Sequence, residues 1–202
     1  MRKKILNLPN KITIARIFIT ALIVFILLFP FGMTKINIPK LFIDEKIIVD
    51  VRYPIAGVLF IIASLSDFLD GYLARSRNLV TDFGKMLDAI ADKVLVNAVL
   101  VILAAQGQIS PIIAVVIIVR DIIVDSIKMV ASSKGRVVAA IKSGKFKTAC
   151  MMVGLSLTLF YNLPFELIGL RVDQLLLLIA TVLSVLSGIQ YYILNRELIL
   201  KD

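Results

Sequence analysis

Apolar residues run through this chain in long stretches broken by short polar segments, without the alternation of half-buried strands. Six stretches stand out, at about 12–31, 54–72, 83–105, 109–130, 147–163 and 174–194. Each is near the roughly 20 residues that a helix needs to cross the hydrocarbon of a bilayer. Helices suit such runs, because a closed barrel shows short alternating segments instead. Pro30 and Gly32 close the first run, and Gln106, Gly107 and Gln108 predict a tight turn ahead of Pro111.

Composition strengthens this reading. Of 202 residues, 59% are hydrophobic, and the mean hydropathy is +0.96. Soluble domains average roughly 45–50% apolar residues. The expectation is an all-α, polytopic membrane protein with about six transmembrane helices, forming one integral-membrane domain over residues 1–202. Arg2, Lys3 and Lys4 imitate the start of a signal peptide. The apolar run behind them is too long and lacks a small-residue cleavage site, so a cleaved leader is not expected.

The net charge of +9 is distributed unevenly. Arg2, Lys3, Lys4, Lys11 and Arg16 crowd the amino terminus. Arg75, Arg77 and Lys85 surround the loop between the second and third runs. Lys128, Lys134, Arg136, Lys142, Lys145 and Lys147 surround the loop between the fourth and fifth, with no acid after Asp125. The turn at Gln106 is uncharged, and segment 162–173 holds only Arg171 as a base. The positive-inside bias puts both termini, including residues 1–11, in the cytoplasm of a multi-pass cell-membrane protein. Segment 34–52, with Lys35, Lys40, Lys46 and Arg52 against Asp44, Glu45 and Asp50, is then extracytoplasmic, an amphipathic piece lying on the outer surface. The basic excess fits anionic lipid or an anionic substrate. Nucleic-acid binding is not expected, because no soluble basic domain is present.

Two absences narrow the chemistry. The single cysteine, Cys150, sits in an apolar run and reads as a small buried hydrophobe. There is no histidine, which removes His bases, His metal ligands and any Ser-His-Asp triad.

Against that background, Asp67, Asp70, Asp88 and Asp92 lie within or at the ends of apolar runs. A carboxylate near hydrocarbon costs roughly 2.5–3.5 kcal/mol on insertion scales, so four together require compensation. Asp67 and Asp70 are i, i+3 on one helix face, and Asp88 and Asp92 are i, i+4 on the next. A short loop makes those helices antiparallel neighbours, so the two faces can converge near the cytoplasmic boundary. Oxygen-only ligands suit Mg²⁺ or Mn²⁺, then Ca²⁺, and two such ions can clamp a pyrophosphate. Gly71, Ala74 and Gly84 are small residues on the same faces, and Arg75 is placed to meet a phosphate. A lone aspartate at a helix end would be as readily an interfacial anchor; the spaced set is not.

The full spacing is Asp67-x2-Asp70-Gly71-x2-Ala74-Arg75-x8-Gly84-x3-Asp88-x3-Asp92. It resembles the signature of the CDP-alcohol phosphotransferases at every fixed position. The resemblance implies a six-helix membrane enzyme, usually a homodimer, with a dinuclear Mg²⁺ or Mn²⁺ site reached from the cytoplasm. Members move a substituted phosphate from a CDP-linked donor to an alcohol and release CMP. On that resemblance Asp67, Asp70 and Asp88 are metal ligands, and Asp92 is a ligand and the catalytic base. Gly71, Ala74 and Arg75 hold the CDP portion.

Three further stretches resemble the bacterial phosphatidylglycerophosphate synthases within that family. The first is Asn7-Leu8-Pro9-Asn10-Lys11-Ile12-Thr13 with Arg16 behind it, where Pro9 marks a helix start and Asn10 or Thr13 could cap or contact a nucleotide. The second is Arg120-Asp121, where those enzymes usually carry Arg-Glu. The third is Gly144-Lys145-Phe146-Lys147-Thr148. The implied partners are CDP-diacylglycerol, glycerol 3-phosphate, CMP and membrane lipid, with Arg120, Lys145 and Lys147 on the acceptor phosphate. Arg120 could instead pair with Asp121 or Asp125, and the lysines could be a solvated positive-inside loop. The alternatives are a sister enzyme acting on serine, inositol phosphate or another alcohol, and more remotely a cation or proton transporter. A transporter would favour midplane acids and internal repeats, and neither is visible here.

Overall fold

The computed structural model describes residues 7–31, 40–43, 47–76, 81–136, 138–139 and 141–200. The charges expected to matter within 1–6, 32–39 and 44–46, and Arg77, lie outside the described residues. Six α-helices dominate what is described: α1 (Leu8–Leu28), α2 (Arg52–Ser76), α3 (Asp82–Ala105), α4 (Pro111–Ser133), α5 (Lys142–Leu159) and α6 (Val172–Leu200). The all-α expectation holds, with one small addition. Within segment 34–52, strands β1 (Lys40–Ile43) and β2 (Ile47–Asp50) pair antiparallel, with Lys40 opposite Asp50 and Phe42 opposite Ile48.

Three helices are long and apolar enough to cross a bilayer on those grounds alone, over Leu8–Leu28, Arg52–Gly71 and Val172–Arg196. They mark the chain as a membrane protein. The apolar side chains of α2 show why water would not suit it. Ile55, Val58, Ile62, Leu65 and Leu69 recur at helical spacing and all remain exposed.

Two helices, α1 and α5, begin ahead of their apolar runs, because their first turns are polar. Asn7 caps α1 by accepting a hydrogen bond from the Asn10 backbone N–H at 3.0 Å. Pro9 sits in the first turn, where its missing donor costs nothing. The helix therefore starts about one turn before the hydrophobic stretch, and the cap is Asn7 rather than Asn10. α5 likewise starts at Lys142, five residues ahead of the expected 147, and ends at Leu159. The turn after α3 is as expected: Gly107 takes φ +72°, and the Gln108 N–H donates to the Leu103 carbonyl at 2.9 Å.

The chain divides into two compact units. One comprises Met1–Ile102 with Leu159–Leu163, the other Leu103–Thr158 with Pro164–Asp202. In the first, α1 packs along α2, and Ile23, Leu27, Ala56, Phe60, Ala63, Leu95 and Val99 are buried. In the second, α4 packs along α6. Val124, Ile127 and Tyr191 form a core against Val138 and Ile141. Gly188 keeps α4 and α6 close, since a Cβ there would lie 3.1 Å from Arg120 Cγ.

Candidate metal centre

The first unit gathers a charged cluster from three helices. On α1, Asn10, Thr13, Arg16 and Thr20 form a buried stripe at helical spacing, continued by Ile23 and Leu27. Arg16 is entirely buried, so its charge needs partners. It finds three. Nη1 pairs with Asp67 Oδ1, and Nη2 lies 2.5 Å from Asp70 Oδ2 and 3.2 Å from Asp88 Oδ1. Its Nε, also buried, has no hydrogen-bond partner among the described residues. The Thr13 hydroxyl lies 3.1 Å from both Asp70 Oδ2 and the Pro9 carbonyl, and can donate to either.

The two-helix convergence expected from the aspartate spacing is present. One carboxylate oxygen from each of Asp67, Asp70 and Asp88 lies within 4.8 Å of the others. Asp70 is buried at the base of this group, while the side chains of Asp67 and Asp88 are 36% and 49% exposed. The cluster therefore opens on one side. Among the described residues, three carboxylates face one guanidinium, and the two negative charges left over suit a hard divalent cation bound through oxygen. Asp92 lies one turn farther along α3, half-buried, outside that three-residue group.

Two sequence-marked residues contribute in ways their types do not announce. Gly84 opens α3 to α1: a Cβ there would run into Asn10 Oδ1 and lie 3.0 Å from Thr81 Oγ1. Asn10 Nδ2 donates to that Thr81 hydroxyl at 3.3 Å, and the hydroxyl accepts from the Gly84 N–H at 3.0 Å. Asn10 thus ties α1 to the start of α3. Gly71 continues α2 just past Asp70. Ala74 and Arg75 lie on the same helix, but their side chains are outside the described part of the structure.

Arg16 is the residue that sequence reasoning undervalued. From sequence it reads as a positive-inside charge and as part of the amino-terminal signature, with no place in the cluster. A signal was available: an arginine two turns inside an apolar helix, at i+3 from Thr13, is expensive unless paired or functional.

The second unit holds a separate cationic group. Lys147, buried on α5, donates from Nζ to both Asp121 oxygens at 2.8 Å. Arg120 Nη1 donates to Asp121 Oδ1 at 2.9 Å, and Nη2 to Ser187 Oγ at 2.6 Å. The Arg120 guanidinium also stands 5.5 Å from the Tyr191 ring centroid. Of the two partners left open for Arg120, it meets Asp121. Lys145, two residues before Lys147, is exposed.

The family model for CDP-alcohol phosphatidyltransferase matches residues 6–186. The chain is similar to the CDP-diacylglycerol–glycerol-3-phosphate 3-phosphatidyltransferase of Bacillus subtilis (strain 168). The two are 43% identical over 192 residues, covering 95% of this chain and 96% of that one. It is 35% identical to the protein of the same name from Rickettsia bellii, over 92% and 93% of the two chains. With the Mycoplasma pneumoniae protein of that name it shares 37% identity, over 76% and 68%. The matched span contains every residue of the Arg16–Asp67–Asp70–Asp88 cluster, and the chain belongs to the CDP-alcohol phosphatidyltransferase family.

Proposed function

We propose that this chain transfers the phosphatidyl group from CDP-diacylglycerol to the 1-hydroxyl of sn-glycerol 3-phosphate, giving phosphatidylglycerophosphate and CMP. The observation that carries the reading is the three-carboxylate cluster, set in a chain 43% identical over 95% of its length to an enzyme of that name.

Asp67, Asp70, Asp88 and Asp92 would hold one or two divalent ions, Mg²⁺ or Mn²⁺. The oxygen-only donor set and the uncompensated negative charge both fit such ions. When bound, they supply charge neutralisation to the pyrophosphate of the donor. Arg16 holds the three carboxylates of α2 and α3 in register from α1. Asp92, one turn beyond Asp88, takes the proton from the acceptor hydroxyl. The freed oxygen attacks the phosphorus bearing the diacylglycerol, the phosphoanhydride bond breaks, and CMP departs with the electron pair. Gly71, Ala74 and Arg75, with Asn10 and Thr13, hold the CDP portion, and Arg120, Lys145 and Lys147 hold the acceptor phosphate. Asp121 pairs with both Arg120 and Lys147, and the two cations against one carboxylate leave one positive charge for an acceptor phosphate.

The membrane is the cell membrane in this reading, crossed about six times. The Lys/Arg bias supports a cluster that faces the cytoplasm. Two copies pair as a homodimer, in keeping with the family resemblance.

The test is CMP release by purified protein given CDP-diacylglycerol, Mg²⁺ or Mn²⁺, and glycerol 3-phosphate, serine or inositol phosphate in turn. Release with glycerol 3-phosphate alone, abolished by chelation, is expected. Use of serine or inositol phosphate in place of glycerol 3-phosphate would overturn the acceptor assignment. Metal-independent release would overturn the site.

A further inference from the structure

The β1–β2 hairpin is built unlike a water-exposed hairpin. A two-stranded ribbon with one solvated face normally alternates apolar and polar residues. Here every strand position between Lys40 and Asp50 is apolar: Leu41, Phe42 and Ile43 on one strand, Ile47, Ile48 and Val49 on the other. Leu41 stands opposite Val49; Val49 is buried and Leu41 is exposed. Phe42 stands opposite Ile48 on the other face, and the two are 70% and 55% exposed. An isolated two-stranded ribbon is marginally stable in water, and an exposed apolar face would invite association.

The hairpin's attachment shows which environment it meets. Arg52 opens α2 and binds Asp50 through Nε and Nη2, at 3.0 and 2.6 Å. The Asp50 N–H donates to the Tyr161 hydroxyl at 3.0 Å. β2 is therefore fastened to the first turn of a helix apolar enough to cross a bilayer over Arg52–Gly71. The 15 residues from Arg52 to Asp67 span roughly 22 Å of that helix, so the hairpin lies at the end of α2 away from the carboxylates. Its charged ends, Lys40 and Asp50, suit headgroup depth.

We propose that the β1–β2 hairpin is an interfacial membrane anchor. Its Phe42–Ile48 face lies in the headgroup–acyl boundary of the leaflet opposite the carboxylate cluster. This follows from the exposed apolar face and its continuity with the membrane helix, and does not depend on which reaction the chain catalyses.

The chain has no tryptophan, so Phe42→Trp introduces a single reporter. The full-length variant is placed in phosphatidylcholine–phosphatidylglycerol vesicles, plain or with acyl chains brominated at shallow or deep positions. Blue-shifted emission is expected, with little quenching by aqueous acrylamide and more loss from shallow than from deep bromine. Phe25→Trp, exposed on α1 nine residues beyond Arg16 and so roughly 14 Å from the cluster, serves as the deep control and should show the reverse order. Emission at the water position, quenched by acrylamide and untouched by bromine, would overturn the anchor. So would blue-shifted emission untouched by bromine at either depth, which would mean that a second copy covers the face. Ile48→Trp, on the same face, repeats the measurement if Phe42→Trp fails to fold.

Discussion

Arg16 and Asp70 meet across 54 positions of sequence, with the guanidinium Nη2 2.5 Å from the carboxylate Oδ2 and both side chains buried. The same guanidinium reaches Asp67 and Asp88. Removing it leaves three carboxylates facing one another without the cation that pairs them among the described residues. Arg16→Met should therefore lower stability by about 3–5 kcal/mol, the usual cost of breaking a buried ion pair. Thermal unfolding in chelator should show the full loss, and saturating Mn²⁺ should restore part of it. Arg16→Lys should fall between, because an ammonium supplies the charge but not the fork that serves several carboxylates at once. Equal stability of Arg16→Met and wild type in chelator would show that the guanidinium is not needed to hold the cluster.

Gly84→Ala is expected to separate α1 from α3. The new methyl group collides with Asn10 Oδ1, and the loss should be about 1–3 kcal/mol, as for other overpacked sites. Asn10→Ala in the same chain removes the obstacle, so the double variant should be more stable than the sum of the two losses. A double-mutant cycle by thermal unfolding checks this, and strict additivity would mean that α1 does not approach through Asn10.

Asp92→Asn and Asp70→Asn should fail differently. Asp92 lies outside the three-carboxylate group, so Asp92→Asn should keep most Mn²⁺ binding. Its CMP release should fall by about 10²- to 10⁴-fold, the range of a lost general base. Asp70→Asn should weaken Mn²⁺ binding itself. Paramagnetic titration of bound Mn²⁺ alongside the CMP assay separates the two, and near-normal turnover in Asp92→Asn would remove it as the base.

Lys145→Ala and Lys147→Ala should both raise the KM for glycerol 3-phosphate more than that for CDP-diacylglycerol. Only Lys147→Ala should also destabilise the protein, because Lys147 is buried against Asp121 while Lys145 is exposed. Asp121→Glu keeps an anion between Arg120 and Lys147 and should be tolerated. An unchanged acceptor KM in Lys145→Ala would return that lysine to the solvated loop.

The helices and the aspartates were readable because each carries a strong local signal. Runs of apolar residues near membrane length show whatever surrounds them. Asp67, Asp70 and Asp88 keep helical spacing on two segments joined by a short loop, so their convergence follows from the connection, while Asp92 lies one turn beyond the group. Arg16 was less readable, since its three partners lie 51, 54 and 72 positions away and nothing local names them. The role of Gly84 was half-legible. A small residue there announced a close approach, but only the fold shows that Asn10 makes it. The strands escaped because Leu41–Ile43 and Ile47–Val49 are three-residue apolar runs, too short to hold a period.

The Arg16 pairing also sets a problem for biogenesis. The arginine is synthesised in the first apolar helix, and its nearest partner in sequence, Asp67, follows 51 residues later. Until then α1 carries an uncompensated charge, which costs at most the roughly 2.5–3.5 kcal/mol of a helix-centre position. The apolar residues of α1 outweigh that cost, so the helix can enter the bilayer before its partners, with the arginine drawn toward the headgroups. The arrival of α2 and α3 with their acids is then the step that draws the arginine inward and fixes α1 against its neighbours.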